Sequence, residues 1–232
     1  MAMTFITALT LPDMNRIVTT SDGSHTFYSK KFGEHYHSTF GAIQESEHIF
    51  ISGALDGRQN TNSTVNILEI GFGTGLNALL TQMWADKNCY PVNYHGVEAY
   101  PISMEAAESL NYCKILNTDH TLFLKLHHFS EQPFKVTDYF ILMHEVQTLE
   151  KAIFPIEHYD IIYFDAFSPE VQPELWTFEI FQKLYHTLKD GGVLVTYSCK
   201  GSVKRAMKKA GFIIKKLPGP TGKREFLKAI KV

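Results

Sequence analysis

The run ILEIGFGTGLN, residues 67–77, constrains this chain more than any other stretch. A short apolar segment leads into Gly71, Gly73 and Gly75, and LNALLTQMWAD continues with helical composition. Glycines between a buried strand and a helix let the backbone turn sharply and admit a ligand where a Cβ would stand. The loop is not a P-loop, because no Gly-Lys-Ser/Thr follows. It also departs from the dinucleotide pattern G-x-G-x-x-G/A, since Leu76 and Asn77 occupy the place of the third glycine. Glu69, two residues before Gly71, is a further departure from NAD loops.

From residue 65 onward, strand and helix patterns alternate. Strands are predicted over 65–70, 92–99, 138–145, 158–165 and 193–198. A helix is predicted from Pro101, and residues 114–135 read as helical or irregular. An amphipathic helix is predicted from Pro173, with Leu175, Phe178, Phe181, Leu184 and Leu188 on one face and Gly191-Gly192 as its stop. A basic helix over 202–211 precedes two segments, FIIKKL and REFLKAI, that read as paired strands. This alternation implies βαβ crossovers, an α/β class and a parallel, doubly wound sheet. Ahead of it the texture differs. TSDGSHTFYSKKFGEHYHS carries Asp-Gly turn chemistry and predicts a β-hairpin, and GAIQESEHIFISGALDG predicts a helix ending on Gly57. The chain is therefore expected to have a hairpin-and-helix extension, residues 1–60, before a Rossmann-like domain, residues 61–232.

Bulk properties narrow the class. The chain has 232 residues, 44% of them hydrophobic and 20% charged, enough for one sizeable core. No apolar run approaches membrane-spanning length and no secretory pattern opens the sequence. Cys89, Cys113 and Cys199 are odd in number and widely spaced, which argues for reduced thiols in a cytoplasmic protein. Net charge is −2, but eleven of the 22 Lys and Arg residues fall between Lys200 and Val232, where Glu225 is the only acid. Such asymmetry fits either a basic face for a polyanion or a solvated terminal helix and strand edge.

Three acids stand at predicted strand ends, where a sheet of this kind binds its ligands: Glu98, Glu145 and Asp165. Glu98 follows the glycine loop by roughly twenty residues, the spacing at which an acid accepts ribose hydroxyls in nucleotide-binding folds. Asp165 ends the apolar IIYFD and opens a loop with Phe167, Ser168 and two prolines. As a helix cap it would sit next to the helix, yet that helix is predicted eight residues on, so a working carboxylate is the better expectation.

The order apolar–acid–apolar–Gly-x-Gly-x-Gly resembles motif I of class I S-adenosyl-L-methionine-dependent methyltransferases. Five stretches resemble one family within that class: GSHTFYSKKFGEHYHSTFGAIQESEHIFI, ILEIGFGTGLNALLT, VEAYPI, YFDAFSPEVQPELWT and GKREFLKA. They look like the methyltransferase domain of the MnmC family, which makes 5-methylaminomethyl-2-thiouridine at the tRNA wobble position. The resemblance spans about Ser21 to Ala229, and DAFSP…PELW is more specific than the glycine loop. It implies that Glu69, Gly71, Phe72, Gly73, Thr74, Gly75 and Asn77 bind S-adenosyl-L-methionine, with Glu98 on the ribose and Glu145 at the adenine. It further implies Asp165 as the catalytic residue, and Tyr36, Phe167 and Ser168 around the substrate base. Lys204, Arg205, Lys208, Lys223 and Arg224 would meet the RNA, the helix residues holding anticodon-stem phosphates.

No second glycine motif for FAD follows and the chain stops after KREFLKA, so the resemblance implies a stand-alone form without the oxidase step. Such a form would take its aminomethyluridine from a separate enzyme. His144-Glu145 replaces a more usual Gly-Asp, and Glu170-Val171-Gln172 lacks the lysine often found there. His35 and His37 flank Tyr36 in a segment that fits either closure over the pocket or a polar hairpin, and no partners for a metal are identifiable. Three rivals remain: a polyamine synthase-like aminopropyltransferase, a small-molecule amine methyltransferase, and a tRNA-binding scaffold with the same fold.

Overall fold

The computed structural model describes residues 15–56 and 63–232. The expected stop at Gly57 and the boundary after residue 60 lie outside them. β1 (Asn15–Thr19) and β2 (His25–Ser29) pair antiparallel, and β3 (Glu34–His35) joins β2. Asp22 makes the hairpin turn: its Oδ1 accepts from the Ser24 N–H at 2.9 Å and from Thr20 Oγ1 at 2.7 Å. Gly23 supplies the left-handed φ of +84° there. The predicted helix after it is interrupted. α1 (Ala42–Ser46) passes through a π turn (Glu47–Ser52) into α2 (Gly53–Leu55), and the sequence neighbours Ile49 and Phe50 both reach the core in the wide turn.

β4 (Val65–Ile70), α3 (Leu76–Asn88) and β5 (Val92–Val97) follow as expected. α4 (Met104–Glu108) starts three residues after Pro101, because the Ser103 hydroxyl caps it by accepting from Ala106 N–H at 3.2 Å. α5 (Tyr112–Leu116), α6 (His120–Leu126) and the short β6 (Phe134–Lys135) occupy the stretch that reads as helical or irregular. β7 (Phe140–Glu145) and β8 (Tyr159–Phe164) follow as inner strands.

The amphipathic segment divides differently from its sequence pattern. Pro173–Trp176 forms a 3₁₀ turn and α7 (Phe178–Thr187) starts on a Thr177 cap. The helix ends before Gly191-Gly192, since Leu188 is already extended and opens β9 (Leu188–Thr196). Pairing with β8 jumps from Tyr159–Leu188 to Ile161–Val193, so the two glycines sit in a bulge. A Cβ on Gly192 would stand 2.7 Å from the Lys189 carbonyl oxygen, which explains glycine at that point. α8 (Gly201–Lys209), β10 (Ile213–Pro218) and β11 (Glu225–Ile230) close the chain.

The main sheet has the order β10-β11-β9-β8-β4-β5-β7-β6. β7, β5, β4, β8 and β9 run parallel, while β6, β10 and β11 add antiparallel edges. β4 lies at the centre with both faces covered, which is why VNILEI is almost continuously apolar. Ile67 joins the core under α3 and the N-terminal extension, whereas Leu68 and Ile70 join the core under α7 and α8. Phe27, Ile43, Ile49 and Phe50 of the extension belong to the first of these cores, so hairpin, helix and sheet are packed together. No helix among the described residues is long and apolar enough to cross a membrane.

Candidate active site

A cavity of about 400 Å³ opens at the carboxyl ends of β4, β5 and β8. Its floor is set by backbone. The Asp165 N–H donates to the Ile70 carbonyl at 2.9 Å, and Gly71 N–H donates to the Val97 carbonyl at 3.0 Å, which ties the three strand ends together. Gly71, at φ +86°, passes so close to the next strand end that a Cβ on it would lie 2.6 Å from the Asp165 carbonyl oxygen. Gly73, at φ +52°, faces the ring of Tyr36 closely, since its Cβ would stand 3.2 Å from that ring.

Two carboxylates mark the opposite ends of the cavity. Glu98 accepts from Gly73 N–H at 2.9 Å through Oε2 and from Tyr100 N–H at 2.8 Å through Oε1. Burial raises it above the usual carboxylate range, and those two N–H donors pull the other way. Asp165 keeps part of its surface open to the cavity, yet burial pushes it up to about 7. The charge of Glu45 adds to that rise, while a hydrogen bond from Asn77 and the charge of Lys223 oppose it. Asn77 Nδ2 lies 2.8 Å from Asp165 Oδ2 and 2.9 Å from Glu69 Oε1, so it clamps the two acids side by side.

The lid comes from the extension. Glu34, Tyr36, His37, Thr39 and Phe40 line the cavity, and Phe167 from the DAFSP loop lies against Tyr36 (ring centroids 5.0 Å) and Phe32 (4.5 Å). The loop itself is pinned. Trp176 Nε1 donates to the Phe167 carbonyl, Tyr197 Oη to the Ala166 carbonyl, and the Ser168 N–H to Glu34 Oε2, each at 2.9 Å. His37 Nε2 meets Thr74 Oγ1 at 2.7 Å, and burial lowers the imidazole to about 4.

Of the residues singled out in the sequence, Tyr36, Gly71, Gly73, Glu98, Asp165, Phe167 and Lys223 share this cavity. Glu69, Thr74, Gly75 and Asn77 are buried behind its wall, and burial holds Glu69 well above the usual carboxylate range. Phe72 points into a nest of Phe129, His127 and His144 rings. Glu145 lies outside the lining, with Oε2 3.5 Å from His95 Nε2 and Oε1 accepting from Gln147, and Gln147 itself reaches the cavity. Ser168 and Arg224 line a shallower groove beside the cavity, which shares Glu34, Tyr197 and Lys223 with it. Lys204, Arg205 and Lys208 lie on α8, outside both linings.

The basic tail is less free than its composition implies. Lys200 pairs with Glu170, Lys216 with Glu225 and Lys223 with Glu45, while Lys228 Nζ donates to the Gly53 carbonyl and Lys231 is buried against Glu157 and Asp190. Sequence reasoning also missed Glu45, Gln147, Leu149 and Tyr197 as cavity residues. Glu45 carried a signal: it is an acid inside the apolar pattern of AIQESEHIFI.

Residues 118–232 match a family described as S-adenosyl-L-methionine-dependent methyltransferase. Curated relatives include the tRNA 5-methylaminomethyl-2-thiouridine biosynthesis bifunctional protein MnmC of Burkholderia multivorans, 31% identical across 87% of this chain and 33% of the relative. The protein of the same name from Aromatoleum aromaticum is 31% identical across 92% of this chain and 35% of the relative. The chain thus spans about one third of the length of the curated relatives it matches. Among solved structures, MnmC2 from Aquifex aeolicus superposes with a TM-score of 0.73 at 26% identity, covering 93% of this chain and 70% of that one. Spermidine synthase from Thermotoga maritima superposes at 0.57 with 18% identity, covering 95% and 70%, a likeness of fold alone.

Proposed function

We propose that this chain, which carries an MnmC-like methyltransferase domain of the S-adenosyl-L-methionine-dependent class, methylates the primary amine of 5-aminomethyl-(2-thio)uridine at a tRNA wobble position. The observation that carries the reading is Asp165: a cavity-facing carboxylate at a strand end, clamped by Asn77 and raised to about 7 by burial. The relatives' names contain 5-methylaminomethyl-2-thiouridine, the product such a methylation would give.

The residues present fit the cofactor. Gly71 and Gly73 line the cavity with backbone at positive φ and no side chain to intrude, and Glu98 presents a carboxylate already anchored by two N–H groups. Gly71, Gly73 and Glu98 would hold it directly, with Glu69 and Asn77 bracing them from behind; when bound, it supplies an electrophilic methyl group on a sulfonium. Gln147, rather than Glu145, lies where the third strand end meets the cavity and is the residue we assign to the adenine.

Asp165 acts on the other reactant. A primary ammonium ordinarily holds its proton to roughly pH 10, and only the neutral amine has a lone pair to give. The substrate ammonium passes one proton to the Asp165 carboxylate, whose raised affinity makes it a better acceptor than an exposed aspartate. The neutral amine so formed has the lone pair that the methyl group of bound S-adenosyl-L-methionine would accept, with the carbon–sulfur electron pair left on sulfur. The product leaves as a secondary ammonium. Phe167 and Tyr36 wall the site and hold the base in line, a positioning effect on which the attack depends. The cytoplasm, where tRNA is modified, is the assigned compartment, and the aminomethyl group is assigned to a prior enzymatic step.

The test is to supply methyl-labelled S-adenosyl-L-methionine with tRNA bearing aminomethyluridine, and in parallel putrescine with the decarboxylated cofactor. Label in the wobble nucleoside is the expected result. Its absence there, or aminopropyl transfer to putrescine, contradicts the reading.

A further inference from the structure

Glu45 is an acid on a short helix of the extension, yet it is only 7% exposed and lines the same cavity as Asp165. Surface helices do not turn acids inward without a partner, because an unpaired buried carboxylate is costly. Glu45 has two partners. Its Oε2 accepts from the Ser38 N–H at 2.8 Å, and its Oε1 is ion-paired with Lys223 Nζ. Lys223 comes from the β10–β11 turn, and its Nζ stands 4.2 Å from the centre of the Tyr197 ring. Lys223 and Tyr197 line both the cavity and the neighbouring groove, so a primary ammonium already sits at the passage between the two.

Resting on the amine-methylation reading, we propose that Glu45 is a second carboxylate of the amine site and that Lys223 occupies it as a stand-in for the substrate. A primary ammonium on a short carbon stem is the chemistry Glu45 already binds, with an aromatic face beside it. The incoming aminomethyl group displaces Lys223 from Glu45 and lies between Glu45 and Asp165. Lys223 then swings toward the groove, which Lys200 and Arg224 also line. Glu45 thereby selects a cationic amine over a neutral base, and Asp165 removes its proton. Glu45 is a specificity-determining residue and Lys223 a positioning one. The charged and titratable groups around Asp165 are Glu34, His35, Tyr36 and His37 from the lid, Glu45, Glu69, Tyr94, Glu98, Tyr197 and Lys223.

The experiment uses the cofactor-free protein, labelled with ¹³C at aspartate carboxyls and assigned through Asp165→Asn. The Asp165 signal is followed against pH and against ethylammonium chloride, in wild type, Glu45→Gln and Lys223→Met. Removing the negative charge is expected to shift the Asp165 titration about one pH unit down in Glu45→Gln, and removing the positive charge to shift it up in Lys223→Met. Ethylammonium is expected to perturb the signal at about tenfold higher concentration in Glu45→Gln and at lower concentration in Lys223→Met than in wild type. Shifts of the same sign in both variants, or ethylammonium binding unchanged by Glu45→Gln, overturn the proposal. No methyl transfer is needed for this readout. A wild type that fails to methylate tRNA while the shifts hold sinks the functional reading, and the reverse pattern sinks this inference alone.

Discussion

The two ends of the cavity are built by different means. At the glycine-loop end the contacts are backbone: Gly71 and Gly73 crossing strand ends, and Glu98 fixed by two main-chain N–H groups. At the Asp165 end they are side chains drawn from distant parts of the chain. Asn77 comes from α3, Glu45 from α1, Phe167 from the loop after β8 and Lys223 from the last turn. The first end is locally encoded and common to many chemistries; the second is assembled by tertiary packing and, in the proposed reaction, would decide what is methylated.

Variants at each end sharpen that contrast. Asp165→Asn is expected to lose about 10² to 10⁴ in turnover while S-adenosyl-L-methionine affinity, measured by calorimetry, stays within a few-fold. Collapse of cofactor binding instead would move Asp165 to the other end of the comparison. Gly71→Ala should act on both ends at once, because a Cβ cannot stand 2.6 Å from the Asp165 carbonyl and φ is +86°. A loss of at least about 2 kcal/mol in denaturant unfolding is expected, together with cofactor binding. Glu98→Ala is expected to weaken the cofactor by about tenfold, leaving turnover at saturation nearly intact. Charge reversal at Lys204 and Lys208 should have the smallest effect, a higher KM for tRNA and a shallower salt dependence. An unchanged KM would make α8 a solvated face.

Acid should separate the regions as well. Burial lowers His37, His95 and His127 to about 4 and His144 to about 3. The unfolded chain takes up these protons near 6.5 and the folded one resists, so the stability they contribute above that pH is lost as pH falls toward 4. Asp165 runs the other way. Its folded state holds a proton up to about 7 against 3.8 unfolded, so its contribution is present below 3.8 and lost as pH rises through 7. Thermal melts should therefore show a falling Tm between pH 6.5 and 4, and a higher Tm for Asp165→Asn than for wild type at pH 8.

What was legible in the sequence follows the same division. The glycine loop, the strand ends at Glu98 and Asp165, and the hairpin at Asp22-Gly23 are local demands on backbone, and the structure meets them. Gly191-Gly192 read as a helix stop, but a strand bulge makes the same demand for glycine, and only the register with β8 distinguishes them. Pro101 gave way to Ser103 because a side-chain cap outweighs a permissive ring. Glu145 stands at a strand end like the other two acids, yet its side chain turns to His95, a choice no spacing encodes. The basic tail read either as a face for a polyanion or as a solvated helix and strand edge because composition does not reveal partners, and Glu170, Glu45 and Glu157 each claim one of its lysines.

The most direct test of the central claim is a crystal structure with S-adenosyl-L-homocysteine and an anticodon-loop RNA carrying 5-aminomethyluridine. The amine nitrogen is expected within hydrogen-bond reach of Asp165, about 2.6–3.2 Å, and facing the sulfur across the Gly71–Gly73 loop. An amine lying away from Asp165, with that carboxylate turned instead to the cofactor's own ammonium group, would contradict it.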